Sequence, residues 1–195
     1  LIVVEWNPDP SRPSLVRAMR WPDPSRLASR VIVVPPEIHR SYRNSDKFPL
    51  FQMIAKNVGI RRARGQYVLA TNMDVLFSDE LAAWLARREL REDCVYRIDR
   101  HDVGQTAIPS GLSRDEVLEF CARHVVRVHG QHGTYAWGDP PRVGDPDRLH
   151  SHACGDFTLM ARTQWERLKG YPEFPLWSIY LDGLLLHAAR AVGLE

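Results

Sequence analysis

Asn72-Met73-Asp74 closes a short apolar run, Gln66 to Ala70, and is followed by Ser78-Asp79-Glu80, a start signal for a helix. A carboxylate released from a buried strand onto a loop is costly to keep without a partner. Open α/β sheets bind ligands in the crevice beyond the carboxyl ends of their strands. Asp74 is therefore placed for a metal–phosphate group. Magnesium and manganese take hard oxygen ligands, with one or two carboxylates completed by substrate phosphates. Side chains two apart on extended backbone share a face, so Asn72 and Asp74 are expected to meet one ion. The plainer alternative makes Asp74 a cap of the Val75–Ser78 turn and Asn72 a loop stabiliser. A nucleotide-dependent enzyme is the leading expectation.

Other chemistry-bearing residues are more dispersed. Glu5 ends the run LIVVEW, as a ligand contact or a solvated strand terminus. Asp156 follows Gly155, which would let backbone approach a substrate, although a turn Asp fits equally. Asp182 stands in the first turn of a helix, as a general base or simply as a partner of the helix dipole. Arg97, Asp99, Arg100 and Asp102 form a charged cluster after a strand, with alternation placing Arg97 and Asp99 on one face and Arg100 and Asp102 on another. An ion-pair network is the default reading, and phosphate contact the sharper one. Trp137 could stack on a sugar or be buried. Lys56 and Arg61 read as solvated heads with the option of phosphate contact. His150 and His152 could ligate a metal, although an i,i+2 pair beside a loop reads first as polar loop residues, and His187 reads as a packed or surface histidine.

The elements that position these groups follow from periodicity. Leu1–Trp6, Arg30–Pro35, Gln66–Ala70, Cys94–Ile98 and Phe157–Ala161 read as strands. Helices are expected over Ser14–Met19, from Phe51 to a Gly65 stop, from Ser78 to about Leu90, from a capping box at Ser113 and Glu116 through Val128, over Thr163–Lys169, and after Ser178. Leu181, Leu184, Leu185, Ala188 and Val192 are expected on the apolar side of the last helix. The stretch from Gly130 to His150 has no periodicity and reads as a loop or lid. Strands alternating with helices predict an α/β fold, a three-layer sandwich with a mostly parallel sheet.

Composition narrows the classes. The 195 residues carry a net charge of +2, with 44% hydrophobic and 26% charged residues. These values fit one domain spanning 1–195 with a substantial core. The scattered basic residues argue against nucleic acid as a partner. No apolar run is long enough for a transmembrane segment. Cys94, Cys121 and Cys154 lack ligand spacing, so zinc is not expected, and free thiols suggest a cytoplasmic location.

Two blocks resemble a known family. Asn57-Val-Gly59 and Ala63-Arg-Gly65, followed by Asn72-Met-Asp74, resemble the helix and DxD motif of GT-A fold glycosyltransferases of family 2, with Asn in place of the first Asp. Cys154 to Phe174 is similar to the acceptor-side segment of that family, and Leu181-Asp182 occupies the place of its acidic pair. The resemblance implies transfer of a sugar from a UDP-, GDP- or dTDP-sugar donor to a hydroxyl of a glycan or other acceptor, by direct displacement with inversion. It implies Mg²⁺ or Mn²⁺ held by Asp74, Asp182 as catalytic base, and donor contacts from Glu5, Asn57, Asn72 and Asp74. Gly155, Asp156 and Trp137 are implied on the substrate side. Polysaccharide biosynthesis, and attachment at the inner membrane face, follow from the family alone. The chain reads as a fragment lacking elements at both ends. Rival expectations are a degenerate glycan- or partner-binding module and a sugar nucleotidyltransferase.

Overall fold

A computed structural model describes residues 1–104 and 108–195. The elements in chain order are β1 (Ile2–Trp6), α1 (Leu15–Ala18), β2 (Arg30–Val34), α2 (Pro36–Arg40), α3 (Gln52–Ile60), β3 (Tyr67–Thr71), α4 (Asp79–Ala86), β4 (Val95–Tyr96), β5 (Arg100–Val103), α5 (Arg114–Arg123), β6 (Val125–Gly130), β7 (Gly133–Ala136), β8 (Phe157–Ala161), α6 (Arg162–Leu168) and α7 (Leu181–Ala191). The architecture is mixed α/β, as its alternating periodicities predict.

The sheets correct the expectation of a mostly parallel one. Among the described residues, β1 and β2 pair in parallel, in register from Ile2 opposite Arg30 to Trp6 opposite Val34. The other two sheets, in the orders β3-β8-β4 and β5-β6-β7, are antiparallel. β8 runs between β3 and β4, with Leu159 opposite both Leu69 and Tyr96. Every residue of β8 is buried. Strand periodicity marks β1, β2, β3, β4 and β8, but it carries no information about their direction relative to a distant partner.

Helix α3 carries Met53, Ile54, Ala55, Asn57 and Ile60 inward, and packs on β1 and β3. Met53, Val68, Met160, Trp165, Tyr171 and Leu185 meet in one core cluster. The indole N–H of Trp165 donates to the Val68 carbonyl at 2.9 Å, so its polar edge is satisfied where its ring is buried. On α7 the buried face is Leu181, Leu185, Leu186 and Ala189, while Leu184, Ala188 and Val192 are exposed. The expected stripe is thus rotated by about one residue. Burying a Leu contributes roughly 1.5–3 kcal/mol, so Leu185 and Leu186 anchor this helix.

Several boundaries differ from expectation. The capping box of Ser113 and Glu116 is present, but α5 stops at Arg123, and Val125–Gly130 is a strand. That strand returns through Gln131 and His132 into β7, so a hairpin occupies the start of the expected loop. Helix α3 ends at Ile60, before Gly65, and α4 ends at Ala86. Tyr180, not Ser178, is the N-cap of α7, in a left-handed conformation with φ 69°. Residues 105–107, which follow the charged cluster, lie outside the described residues. No described helix is long and apolar enough to cross a membrane.

Candidate functional site

Strand β8 and the segment leading into it gather the carboxylates. Asp156 precedes β8 and sits beside the end of β3, because Thr71 donates its hydroxyl to the Asp156 carbonyl at 2.7 Å. The Asn72 amide N–H₂ donates to Asp156 Oδ1, and its carbonyl accepts from Gln52 Nε2 at 2.9 Å. The opposite oxygen of Asp156 accepts from Arg100. Arg100 also pairs with Asp102 at 2.8 Å, as alternation predicts for these two, whereas Arg97 and Asp99 turn to other partners. His129 Nε2 lies 2.9 Å from both Asp102 Oδ2 and Arg100 Nη2, and its Nδ1 meets Thr134 Oγ1 at 2.9 Å. Hairpin β5-β6-β7 is therefore latched to Asp156 through one arginine.

Asp182 reaches the same segment from α7. Its Oδ2 accepts the Gly155 backbone N–H at 2.6 Å, and its Oδ1 accepts from Gly183 N at 3.0 Å. A Cβ on Gly155 would stand 2.9 Å from Asp182 Oδ2, closer than side chains tolerate, so glycine is what lets the carboxylate close on the backbone. Gly155, Asp156 and Asp182, expected on the substrate side and as base, thus share one place. A carboxylate has about four lone-pair sites. Asp182 therefore keeps acceptor capacity beyond its two backbone donors.

Lys56 of α3 completes the cluster. Its ammonium donates to the Gly155 carbonyl and lies 5.9 Å from the centroid of the Tyr171 ring. Burial pushes its pKa down from 10.5 to about 8, against the opposing pull of Asp156 and Asp182. Burial likewise raises the Cys154 thiol to about 12 and raises the Tyr171 phenol. Arg97 donates to the carbonyls of His150 and His152 at 3.4 and 3.2 Å, and its Nη1 is buried without a partner. Burial lowers both His150 and His152, followed by the nearby Arg97 charge for the first and Arg148 for the second.

The expected metal ligands do not come together. Met73 and Asp74 form a turn, which removes the extended backbone that would align residues 72 and 74. Asp74 is exposed, while Asn72 is engaged by Gln52 and Asp156. Among the described residues no group of three His, Cys, Asp or Glu side chains could hold a metal ion. Asp74 supplies one hard ligand, so any divalent ion here would rest chiefly on ligands from a bound phosphate.

The remaining expected residues lie elsewhere. Asn57 is fully buried behind the cluster, where Nδ2 donates to the Tyr171 carbonyl at 2.8 Å and to Glu173 Oε1 at 3.0 Å, and Oδ1 accepts from Tyr171 N at 2.8 Å. Trp137 is exposed, its ring tilted against that of His101 with centroids 5.4 Å apart. Glu5 is buried at the end of β1, with Oε1 accepting from Leu15 N at 2.9 Å and Oε2 lacking a partner. A pocket of about 660 Å³ opens just past β1, lined by Asn7, His39, Arg40, Asp46, Lys47 and Phe48 among others. Its volume suits a nucleoside-sized ligand. None of Lys56, Asp156 or Asp182 lines it.

Sequence reasoning placed Lys56 and Arg97 low, as a solvated head and as part of an ion-pair network. The available signal for Lys56 was its position beside the apolar face of α3, one residue before Asn57. No protein-family model, curated protein or solved structure matches the chain.

Proposed function

We propose that the chain is a glycosyltransferase domain of the family 2 type, moving a sugar from a nucleoside-diphosphate donor to an acceptor hydroxyl with inversion. One observation carries the reading. The two sequence blocks that resemble that family, one running from Asn57 to Asp74 and the other from Cys154 to Asp182, meet through the Asn72–Asp156 and Asn57–Tyr171 hydrogen bonds.

In this reading Asp182 is the general base. Held by the Gly155 N–H, its carboxylate takes the acceptor hydroxyl's proton as the oxygen attacks the sugar's anomeric carbon. Asp156, fixed by Asn72 and Arg100, orients a hydroxyl of donor or acceptor. Glu5 offers its unpartnered oxygen to an N–H of the base or a hydroxyl of the ribose, at the end of the parallel strand pair where α/β sheets receive ligands. Asp74 would meet a divalent ion carried on the donor phosphates.

The test is a thermal-shift series with UDP, GDP and dTDP, with Mn²⁺ or with EDTA, followed by donor-sugar turnover. A ligand that binds only the folded chain raises the melting temperature by mass action. A shift with one nucleotide, and turnover of its sugar conjugate lost in Asp182→Asn, is the expected result. A non-catalytic module is the second reading, favoured by the separation of Asn72 from Asp74. It predicts glycan binding with no turnover of any donor.

A further inference from the structure

Lys56 and Arg97 are positive charges without an ion-pair partner among the described residues. Both are partly buried and donate to carbonyls of the same segment, His150–Asp156. The nearby carboxylates are turned to other donors, Asp156 to Asn72 and Arg100, and Asp182 to the Gly155 and Gly183 N–H groups, and neither makes an ion pair with Lys56 or Arg97 among the described residues. Lys56 is satisfied only by a carbonyl, and Arg97 by two, with one terminal nitrogen left over. Carbonyl dipoles compensate a buried cation weakly, and an arginine cannot shed its proton. An anion is the missing complement.

We propose that Lys56 and Arg97 form a resident phosphate-binding pair that receives the diphosphate of the donor, supplying from the protein much of the charge that the separated Asn72 and Asp74 would leave to a metal. The inference rests on the glycosyltransferase reading and names how its leaving group is held. In the transfer step, the bond from the anomeric carbon to the diphosphate oxygen breaks, and its electron pair stays on that oxygen. The acceptor oxygen forms the new bond and its proton passes to Asp182. Lys56 and Arg97 transfer nothing. They stabilise the charge that develops on the departing phosphate. The Arg97 fork suits two phosphate oxygens at once, and the Lys56 ammonium acts as a point charge.

Lys56 is faced by Asp156, Asp182, Cys154, Arg97 and the Tyr171 ring. Its burial already favours losing the proton, so phosphate binding must depend on keeping it. Affinity is therefore highest below pH 8 and falls above it.

Calorimetric titration with inorganic pyrophosphate in EDTA tests the pair directly, alongside UDP, GDP and dTDP with EDTA or Mn²⁺. The expected result is pyrophosphate and nucleotide binding in EDTA, weakened at least about tenfold in Lys56→Met and restored in Lys56→Arg. The wild-type chain alone supplies a second reading if the Met variant fails to fold: binding in EDTA declines by up to about tenfold per pH unit above 8. Nucleotide binding that needs Mn²⁺, is equal in Lys56→Met and ignores pH between 7 and 9 would overturn the pair and leave the transferase reading standing. Pyrophosphate binding through Lys56 with no nucleotide bound in either buffer would keep the pair and sink the transferase reading.

Discussion

Lys56 and Asn57 are neighbours on α3, yet their side chains meet different surroundings. Asn57 faces a wall where its own amide is fully matched: it grips the Tyr171 backbone twice and reaches Glu173, which Arg61 holds at 2.6 Å. Lys56 faces a cluster of charges met by carbonyls, where one Arg97 nitrogen is left unpartnered. Native interiors rarely leave buried polar groups unmatched, and exceptions concentrate where a protein works. The contrast separates scaffold from site more clearly than burial does, since Asn57 is the more deeply buried of the two.

The largest effect expected on the working side is from Asp182→Asn, which keeps an acceptor for the Gly155 N–H but removes the base. Turnover should fall ~100- to 10,000-fold while nucleotide affinity holds. Near-normal turnover would remove Asp182 from the mechanism. On the wall side, Asn57→Ala leaves the Tyr171 N–H and carbonyl unmatched. A loss of about 3 kcal/mol in urea unfolding is expected.

Gly170→Ala attacks the same wall. Gly170 has φ 82°, and a Cβ there would lie 2.3 Å from Asn57 Oδ1. About 2 kcal/mol should be lost, combining left-handed strain and the clash. Because Asn57→Ala removes the clashing atom, the double variant should be more stable than the sum predicts.

A subtler difference separates wild type from Lys56→Met as pH rises. The folded chain releases the Lys56 proton near 8 and the unfolded chain near 10.5. Between those values the unfolded state binds more protons, so wild-type stability relative to the variant should be flat below 8 and climb toward 10.5. Unfolding free energies measured in parallel cancel the opposing titration of Cys154 and Tyr171. A flat difference would mean Lys56 is not desolvated. Smallest of all, Asp79→Ala breaks an exposed pair with Arg114 and should shift stability by less than about 0.5 kcal/mol.

Local signals were legible where one residue type fixes a local geometry. The Ser78 cap and the Ser113–Glu116 box are where their spacing places them. The end of α5 was not, because Val125, Val126 and Val128 continue an apolar pattern although their β-branching favours a strand. The hairpin after them turns at Gln131 and His132, which lack the Asn-Gly or Asp-Gly signature of two-residue turns. Asp156 and Asp182 were legible as candidates, but their meeting at Gly155 was not, since it depends on β8 entering between β3 and β4. Lys56 was hidden for the same reason: helical spacing gives a face, and only the partner on that face decides whether a cation is solvated or enclosed.

The pairing of β3 with β8 has a kinetic consequence. Val68 meets Met160 only after the whole intervening chain has been looped back, an entropic toll that local contacts cannot offset early in folding. Asn72 and Asp156 flank that pairing, so their hydrogen bond cannot precede it. Recovery of ligand binding after dilution from urea should therefore lag the return of helical signal and coincide with burial of Trp165, whose indole reports on closure through its bond to Val68. A chain nicked within residues 139–149 would test how far this lag belongs to the loop itself.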